Sequence, residues 1–388
     1  MRSKKIKVAH VIYNLTIGGV TNIIQQLVTD KQEDTEHIVI LLSAEAEAVP
    51  QGFEKVKVYK LSCRLPETYT IRGFAAIWLH PARYYRQAVE KLREVYEAEH
   101  FDIYHFHGIP KDLPAGTLLK KHQPDIRLVY TDHLMRIVEG EYSKLNAGVL
   151  AFIYRQFYKP YHVIFVSKAI AGSAAALGFL NRKKKNAVIE NAVDVKAIPV
   201  KTEYAVTGKV QIVYVSRISA VKGHFLLLPV AELLINKYKF SNFVFVLIGP
   251  GELTDKLTEE IGKRGLTPFF KIEGPMQEVP AFLHRFDMAV FPSEREGLPV
   301  ALLEKMAAGL PVVASSIPEI ANVIQQEDEA LLFPSKDAET CAALLHRLIQ
   351  DETLRKRTGE AARKAVETRY STPLPEKYSA FYQTLFQD

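Results

Sequence analysis

The sequence predicts an α/β protein made of two similar halves, each with a parallel sheet between helices. Short apolar runs rich in Val and Ile alternate with helical stretches along nearly the whole chain, a pattern typical of parallel sheets covered by helices. A strand at 5–12 leads through a loop into a helix at 20–28, and the same order begins again at 210. The 388 residues suffice for two or three domains. We therefore expect two α/β domains facing each other across a cleft.

The first domain is predicted to span residues 1–195. Its apolar runs are short, and between them lie helical stretches such as 83–99, where apolar residues recur at helical spacing. Residues 196–208 have no clear period and contain Pro199 and Gly208, so we predict a linker there. The strands of the first domain are expected at 5–12, 37–42, 56–61, 102–107, 127–132, 162–167 and 187–191.

The second domain is predicted to span residues 209–370. A helix at 224–238 follows its first strand, and a long amphipathic helix at 353–370 ends it. Pro373 and Pro375 interrupt that helix, so we predict that residues 371–388 form a separate C-terminal helix that crosses back to the first domain. The strands are expected at 210–216, 242–249, 269–274, 288–293, 311–315 and 330–333.

Composition indicates a globular protein of the cytoplasm. Hydrophobic residues make up 48% and charged residues 24% of the chain, and no apolar run is long enough to span a membrane. The basic N-terminus is followed by polar residues rather than by the core of a signal peptide. Cys63 and Cys341 are too few for a disulfide framework and have no neighbours typical of metal ligands.

The net charge of +6 indicates a mild preference for anionic partners. Residues 182–185 form one basic run, which is either a solvated loop or a contact for an anionic acceptor or an acidic membrane surface. The basic and aromatic segment 80–93 favours peripheral contact with the inner face of the cell membrane. Nucleic acid is not expected as a partner, because no binding motif with interleaved aromatic residues occurs.

Two loops have residues suited to binding phosphate. Gly18 and Gly19 follow the first strand and precede a helix, where backbone amides can approach a phosphate closely; a tight turn without ligand is the alternative. Arg217 and Lys222 follow the strand at 210–216, and two cations so placed suit a diphosphate. Ordinary surface charges are the alternative for this pair.

A third loop, PSEREGLPVALLEKMAAGLPVVAS at 292–315, carries two glutamates. Pro299 suits the first helical position and Gly309 the residue after the end, so a helix is predicted from 299 to 308. Glu304 lies one turn after Val300 on the same helix face and can accept hydrogen bonds from vicinal hydroxyls. Glu296 lies before the helix, and we expect both carboxylates to face a ligand.

These motifs together resemble the retaining glycosyltransferases of family 4, of the bacterial polysaccharide and glycoconjugate type. The resemblance covers nearly the whole chain and implies the GT-B fold of two Rossmann-like domains. The two main motifs are SRISAVKG, at 216–223, and EGLPVALLE followed by AAGLPVVAS, at 296–304 and 307–315. Weaker matches occur at HFHG, TDH, FVSKA, ENAVD, IGPGEL and FDMAVFPS.

The resemblance implies a role for each candidate site residue. Arg217 and Lys222 would bind the donor diphosphate, Glu304 its ribose, and Glu296 the donor sugar. His133 would line the reaction centre, with His107 as second choice. The remaining donor contacts would be backbone groups of Gly18, Gly19, Gly297, Leu298, Pro299 and Val300.

The activity implied is hexosyl transfer from a nucleotide sugar to the hydroxyl of a glycan or lipid-linked acceptor, with retention. A uridine diphosphate donor is favoured, with GDP-mannose next. No D-x-D motif occurs, and neither a metal nor a cofactor is expected. The sequence departs from the family pattern at two places. Ala192 in ENAVD replaces a glycine and is expected to be tolerated, whereas Pro318-Glu319 stand where a glycine pair is usual, which affects details of the donor-sugar pocket rather than the reaction.

The motifs exclude one other class of protein and leave two open. A glycosidase is rejected, since its two carboxylates must flank the scissile bond, whereas Glu296 and Glu304 share one loop and helix. Two alternatives remain: a nucleotide-sugar epimerase of the same fold and a catalytically silent accessory subunit. A nucleotide-release assay would distinguish both from a glycosyltransferase.

Overall fold

Each half of the chain folds around one parallel sheet. The computed structural model describes residues 5–15, 19–29, 34–43, 52–66, 70–108, 110–133, 144–276, 278–297 and 299–387. The chain divides into a first unit of residues 1–191 and 374–388 and a second unit of residues 192–373. The predicted pair of Rossmann-like α/β sheets is confirmed.

The sheet of the first unit has seven strands in the order β3-β2-β1-β4-β5-β6-β7. All neighbouring strands are parallel. The order reverses between β1 and β4, where two loops diverge and leave a crevice at the carboxyl ends of the strands. The strands are β1 (Ile6–Ile12), β2 (Thr35–Ser43), β3 (Lys57–Cys63), β4 (Ile103–Gly108), β5 (Arg127–Asp132), β6 (His162–Phe165) and β7 (Asn186–Val188).

Helices cover both faces of this sheet, since strands such as β4 are buried almost along their whole length and need apolar partners on each side. The first helix packs against the last helix of the chain, the third against the fourth, and the second against the fifth. The helices of the first unit are α1 (Gly19–Thr29), α2 (Ile71–Leu79), α3 (Pro81–Glu99), α4 (Leu113–His122), α5 (Lys144–Tyr158), α6 (Lys168–Ala176) and, from the chain end, α13 (Leu374–Thr384).

The second sheet repeats the topology with six parallel strands in the order β10-β9-β8-β11-β12-β13. Its strand order reverses between β8 and β11. The strands are β8 (Val210–Val215), β9 (Phe243–Ile248), β10 (Phe270–Gly274), β11 (Met288–Phe291), β12 (Val312–Ser315) and β13 (Leu331–Phe333).

The helices of the second unit pack in pairs: the one after β8 against the one after β13, and the one after β11 against the long helix near the end of the unit. The helix predicted at 224–238 begins only at Leu227, after short 3₁₀ turns. These helices are α7 (Leu227–Asn236), α8 (Thr254–Lys263), α9 (Val300–Ala307), α10 (Pro318–Val323), α11 (Ala338–Gln350) and α12 (Glu352–Arg369).

Residues 196–208, predicted as a linker, are fixed to the second unit by hydrogen bonds. The backbone amide of Lys201 donates to Ala308 O at 2.8 Å, and the hydroxyl of Tyr204 donates to Gly309 O at 2.8 Å. The guanidinium of Arg355 donates to Tyr204 O at 2.9 Å. This segment is therefore fixed to the C-terminal end of α9 and to the first turn of α12.

The C-terminal helix α13 packs within the first unit. Tyr382 on α13 is hydrogen-bonded to His105 on β4, and Arg127 at the start of β5 donates to Leu385 O at 2.8 Å. The Arg127 guanidinium also lies over the ring of Phe386, 3.7 Å from its centroid. The last residues thus supply part of the first unit's core. Among the described residues, no helix combines the length and apolar character needed to cross a membrane.

Candidate functional site

In the second unit, most of the predicted site residues lie where the strand order reverses. β8 and β11 are hydrogen-bonded neighbours, so the loops that follow them leave the sheet side by side. Residues 216–223 follow β8, and residues 292–299 follow β11 and lead into α9. A reversal of this kind is the usual ligand position in an open α/β sheet.

The loop after β8 is held against the end of β11. The hydroxyl of Tyr214 donates to Lys222 O at 2.7 Å and lies 3.0 Å from Ser293 Oγ. Gly223 has φ +69°, and a Cβ there would lie 2.1 Å from Pro292 O. Only glycine fits so close a backbone approach. Glycine at this position therefore lets the backbone just after Lys222 pack against the end of β11.

The two cations of this loop have different surroundings. Lys222 Nζ lies 2.6 Å from Glu296 Oε1, and this ion pair is mostly shielded from solvent. Arg217 is exposed and forms no ion pair within the part of the chain that the structure describes. Glu296 therefore neutralises Lys222 before any anion arrives, whereas the charge of Arg217 is available to a ligand.

The helix α9 begins one residue later than predicted. Pro299 is its N-cap rather than its first helical residue, because Pro299 O accepts from the amides of Leu302 and Leu303. Gly309 has φ +73° and follows the helix end, as the sequence predicts. Gly297 is buried beside the helix entrance, and Leu298 lies outside the described residues. The first amides of such a helix point outward, where they can bind an anion.

Glu304, on α9, is half-buried, and the side chain of the next residue, Lys305, is wholly buried. Lys305 Nζ donates to Ala301 O at 2.9 Å and lies 3.5 Å from Val215 O, at the end of β8. Burial raises the pKa of Glu304 and lowers the pKa of Lys305, while the attraction between their charges opposes both shifts. Lys305 was not predicted as a site residue; a lysine next to Glu304 in a helix whose other residues are apolar was the available signal.

The charges of Glu296 and Lys222 also act on the pKa of Lys305. We therefore treat Lys222, Glu296, Glu304 and Lys305 as one charged cluster, with two cations and two carboxylates. Because its formal charges cancel, a dianionic ligand would find net attraction mainly in Arg217 and in the helix N-terminus.

In the first unit, His107 and His133 come together at the carboxyl end of the sheet. His107 is on β4, His133 follows β5, and their ring centroids are 5.8 Å apart. His107 is buried, and its Nδ1 has no hydrogen-bond partner within the described part of the chain. Gly19 is the first residue of α1, and Gly18 lies outside the described residues.

Two further histidines extend inward from His107. His10 Nδ1 lies 2.9 Å from His107 Nε2, and His10 Nε2 lies 2.9 Å from His37 Nδ1. Burial lowers the pKa of His10 and of His107 well below the usual value and lowers that of His37 to about 4. His10 and His37 were not predicted as site residues; their positions within the strand runs KVAHVI and TEHIV were the available signal.

The nitrogens of His10, His105 and His107 are close enough to be considered as metal ligands, since one from each ring lies within 4.8 Å of the others. Both nitrogens of His105 are already engaged, with Thr131 Oγ1 at 2.7 Å and the Tyr382 hydroxyl at 2.6 Å. The His10–His107 hydrogen bond occupies two of the remaining nitrogens. The observed arrangement is therefore a hydrogen-bonded network.

Two family models match the chain, one in each half. The model "Glycosyltransferase Family 4" matches residues 17–197, and "Glycosyl transferases group 1" matches residues 200–365. The amylovoran biosynthesis glycosyltransferase of Erwinia amylovora is 28% identical over 309 residues, covering 77% of this chain and 68% of that protein.

Solved structures share the fold of nearly the whole chain. Sucrose-phosphate synthase from Thermosynechococcus elongatus has a TM-score of 0.78 at 14% identity, with 98% of this chain and 99% of that chain covered. Anabaena HepE in complex with UDP-glucose has a TM-score of 0.76 at 17% identity, with 98% and 99% covered. Together, the two family matches and the shared architecture identify the chain as a glycosyltransferase with the GT-B fold.

Proposed function

We propose that the protein transfers a hexose from a UDP-sugar to an acceptor hydroxyl with retention of anomeric configuration and without a metal. The observation that carries this proposal is that the loop of Arg217 and Lys222 packs against the loop that leads into α9, at the strand reversal of the second sheet, with Lys222 Nζ 2.6 Å from Glu296 Oε1. Two cations and a helix N-terminus are the groups that a leaving diphosphate needs.

The choice of UDP is supported by the solved relatives. HepE of Anabaena was solved in complex with UDP-glucose. In our proposal Glu304 accepts hydrogen bonds from the two ribose hydroxyls, a role that a guanosine donor shares. GDP-mannose is therefore the second donor to test.

The transfer step needs no protein nucleophile. The bond between the anomeric carbon and the phosphate oxygen breaks, and its electron pair stays with the diphosphate, beside Arg217 and Lys222. The acceptor oxygen bonds to the anomeric carbon on the same face, and its proton passes to the departing phosphate oxygen. Electrostatic stabilisation of the leaving group is then the main catalytic contribution.

The Lys222–Glu296 ion pair adjusts when the donor binds. The diphosphate draws the Lys222 ammonium toward itself, which releases Glu296 to accept hydrogen bonds from hydroxyls of the donor sugar. Pairing before donor binding also avoids leaving a shielded carboxylate without a counter-charge.

The acceptor is proposed to be a glycan or a lipid-linked saccharide in the synthesis of a cell-surface polysaccharide. The Erwinia relative acts in amylovoran biosynthesis by its name. We infer the acceptor class from this relative.

A nucleotide screen tests the proposed donor. We expect UDP at 100 times its Kd to stabilise the protein by about 2.7 kcal/mol, GDP to give a smaller shift, and EDTA to leave both shifts unchanged. A matching UDP-sugar with acceptor should then yield an α-linked product by NMR if the donor is α-configured. Donor loss without an acceptor would instead indicate an epimerase, and no nucleotide binding would contradict the proposal.

We also propose that the first unit contacts the inner face of the cell membrane through an apolar patch on α2 and α5. Trp78 and Leu79 are 36% and 60% exposed, Phe152 is 46% exposed, and the Trp78 and Phe152 rings lie 5.2 Å apart. Exposed Arg83 lies in the first turn of the next helix, α3. Aromatic side chains beside a cation suit an anionic membrane surface.

The basic run 182–185 supports this contact less than its sequence suggests. Lys185 Nζ donates to Gln387 O at 2.9 Å and also to Thr384 O, so its charge anchors the C-terminal segment. Lys184 is half-buried, and burial lowers its pKa. The α2–α5 patch is therefore the better membrane candidate.

Vesicle co-sedimentation tests the patch. The double variant Trp78→Ser and Phe152→Ser is expected to lower partitioning onto phosphatidylglycerol vesicles more than tenfold, since each large apolar side chain contributes about 1.5–3 kcal/mol when buried. The matched control is Val188→Ser, which changes another exposed apolar residue of the same unit. Equal partitioning of wild type and double variant would contradict the assignment.

A further inference from the structure

Four polar side chains of the first unit form one hydrogen-bonded chain that ends at the carboxyl edge of the sheet. Thr35 Oγ1 lies 3.0 Å from His37 Nε2, His37 Nδ1 lies 2.9 Å from His10 Nε2, and His10 Nδ1 lies 2.9 Å from His107 Nε2. The parallel register pairs His10 with His105 and Val8 with His37. Because side chains alternate along a strand, all four chain members lie on the same face of the sheet.

Burial keeps the three imidazoles of this chain neutral. His10 is completely buried, His107 is nearly so, and His37 is half-buried. Within the described part of the chain, none of the three forms an ion pair with a carboxylate. A neutral imidazole has one N–H donor and one acceptor nitrogen. The proton position on one ring therefore dictates the proton position on the next.

Two proton arrangements satisfy the bonds between the rings. In the first, Thr35 donates to His37, His37 Nδ1–H donates to His10, and His10 Nδ1–H donates to His107 Nε2, which leaves His107 protonated at Nδ1. In the second, every donor is reversed, His107 is protonated at Nε2, and Thr35 only accepts.

The hydroxyl of Thr35 distinguishes the two arrangements. Thr35 is 5% exposed, and its Oγ1 has one hydrogen bond within the described residues, to His37 Nε2. The second arrangement leaves the buried Thr35 O–H without an acceptor and the buried His107 Nδ1 without a donor. The first arrangement leaves one polar group without a hydrogen-bond partner, the His107 Nδ1–H, and a ligand can accept from it. Buried donors without partners are costly, so the first arrangement is the stable one.

We infer that Thr35, His37 and His10 are positioning residues that hold His107 in its Nδ1–H tautomer, so that His107 presents a hydrogen-bond donor at the carboxyl end of β4. The ligand group it fits is an acceptor oxygen, such as a sugar hydroxyl or a phosphate oxygen. The use of this donor in sugar transfer rests on the proposed function, whereas the tautomer is a property of the protein alone.

His105 and His133 lie outside this chain. The nitrogens of His105 are hydrogen-bonded to Thr131 and Tyr382. Its ring lies 3.9 Å from that of His107 between centroids but forms no hydrogen bond with the residues of this chain. His133 lies 5.8 Å from His107 between ring centroids. A ligand oxygen bound by His107 would therefore lie beside His133 as well.

Long-range ¹H–¹⁵N correlation spectra of the substrate-free protein test the inference. We expect His107 to show a protonated Nδ1 in the wild type and in Thr35→Ser, which keeps the hydroxyl. Thr35→Val removes the hydroxyl at nearly constant volume, and we expect a mixture of His107 tautomers there. With a working donor and acceptor, Thr35→Val should lower kcat/KM by about 2- to 10-fold, the range of one neutral hydrogen bond, while Thr35→Ser stays near wild type.

Several outcomes would overturn the inference. A wild-type His107 protonated at Nε2 would do so even if Thr35→Val failed to fold, and so would an unchanged His107 tautomer in a folded Thr35→Val. A stoichiometric metal in the purified protein, measured by mass spectrometry of the elements, would replace the hydrogen-bonded chain with a metal site. Absence of sugar transfer would reject the proposed function and leave the tautomer result standing.

Discussion

Replacing Arg217 with alanine is expected to lower kcat by about 10²- to 10³-fold, the usual effect of removing one group that stabilises developing negative charge. Arg217 is exposed and has no carboxylate partner in the described structure, unlike Lys222, which Glu296 already neutralises. Of the two cations in this loop, Arg217 is therefore the one whose charge is not already neutralised. Steady-state kinetics with a saturating UDP-sugar would measure the loss.

Two further variants sharpen this experiment. Arg217→Lys keeps the charge but not the paired N–H geometry, so we expect an intermediate kcat. Arg285→Ala removes another exposed arginine of the second unit and should leave kcat unchanged. Activity of Arg217→Ala within threefold of wild type would show that the leaving diphosphate is stabilised elsewhere.

Lowering the pH from 7 to 5.5 is expected to destabilise the first unit. Burial holds the pKa of His10, His105 and His107 well below the usual value, and that of His37 at about 4. The unfolded chain takes up protons below a pKa of about 6.5 while the folded unit does not, so stability is present above pH 6.5 and is lost as the pH falls. His37, whose pKa in the folded unit is about 4, alone contributes about 1.3 kcal/mol over this interval, and the other three histidines add to the loss.

The single tryptophan of the sequence makes this measurable, since Trp78 lies in the first unit. Urea unfolding followed by Trp78 fluorescence at several pH values should show the unfolding free energy falling steeply below pH 6.5. His37→Gln should reduce that slope by about one proton, or 1.4 kcal/mol per pH unit. A pH-independent unfolding free energy between 7 and 5.5 would mean that the histidines are charged in the folded unit.

The fold was predictable because both sheets are built from short β-branched runs separated by helices. The predicted bounds of the strand at 127–132 are the same as those of β5 in the structure. Boundaries failed where local structure depends on packing: the turn before α7 is 3₁₀ rather than α, and Pro299 caps α9 instead of beginning it. Sequence spacing cannot distinguish these cases, because the deciding hydrogen bonds come from the ends of the elements.

The charged loops of the second unit were predictable because the residues that bind phosphate stand close together in sequence. The pairing of Lys222 with Glu296 was not, since the two are 74 residues apart and meet only when β8 and β11 become neighbours. The histidine chain of the first unit was missed for the same reason. His10, His37 and His107 lie on three different strands, and each alone looks like an ordinary core residue.

The position of α13 has a consequence for how the chain is made. Its helix fills part of the first unit, yet it is synthesised after the whole of the second unit. Tyr382 reaches His105 only once those last residues have left the ribosome. The first unit therefore stays incompletely folded while the second unit is synthesised. Truncation before residue 374 should prevent the first unit from reaching its folded state.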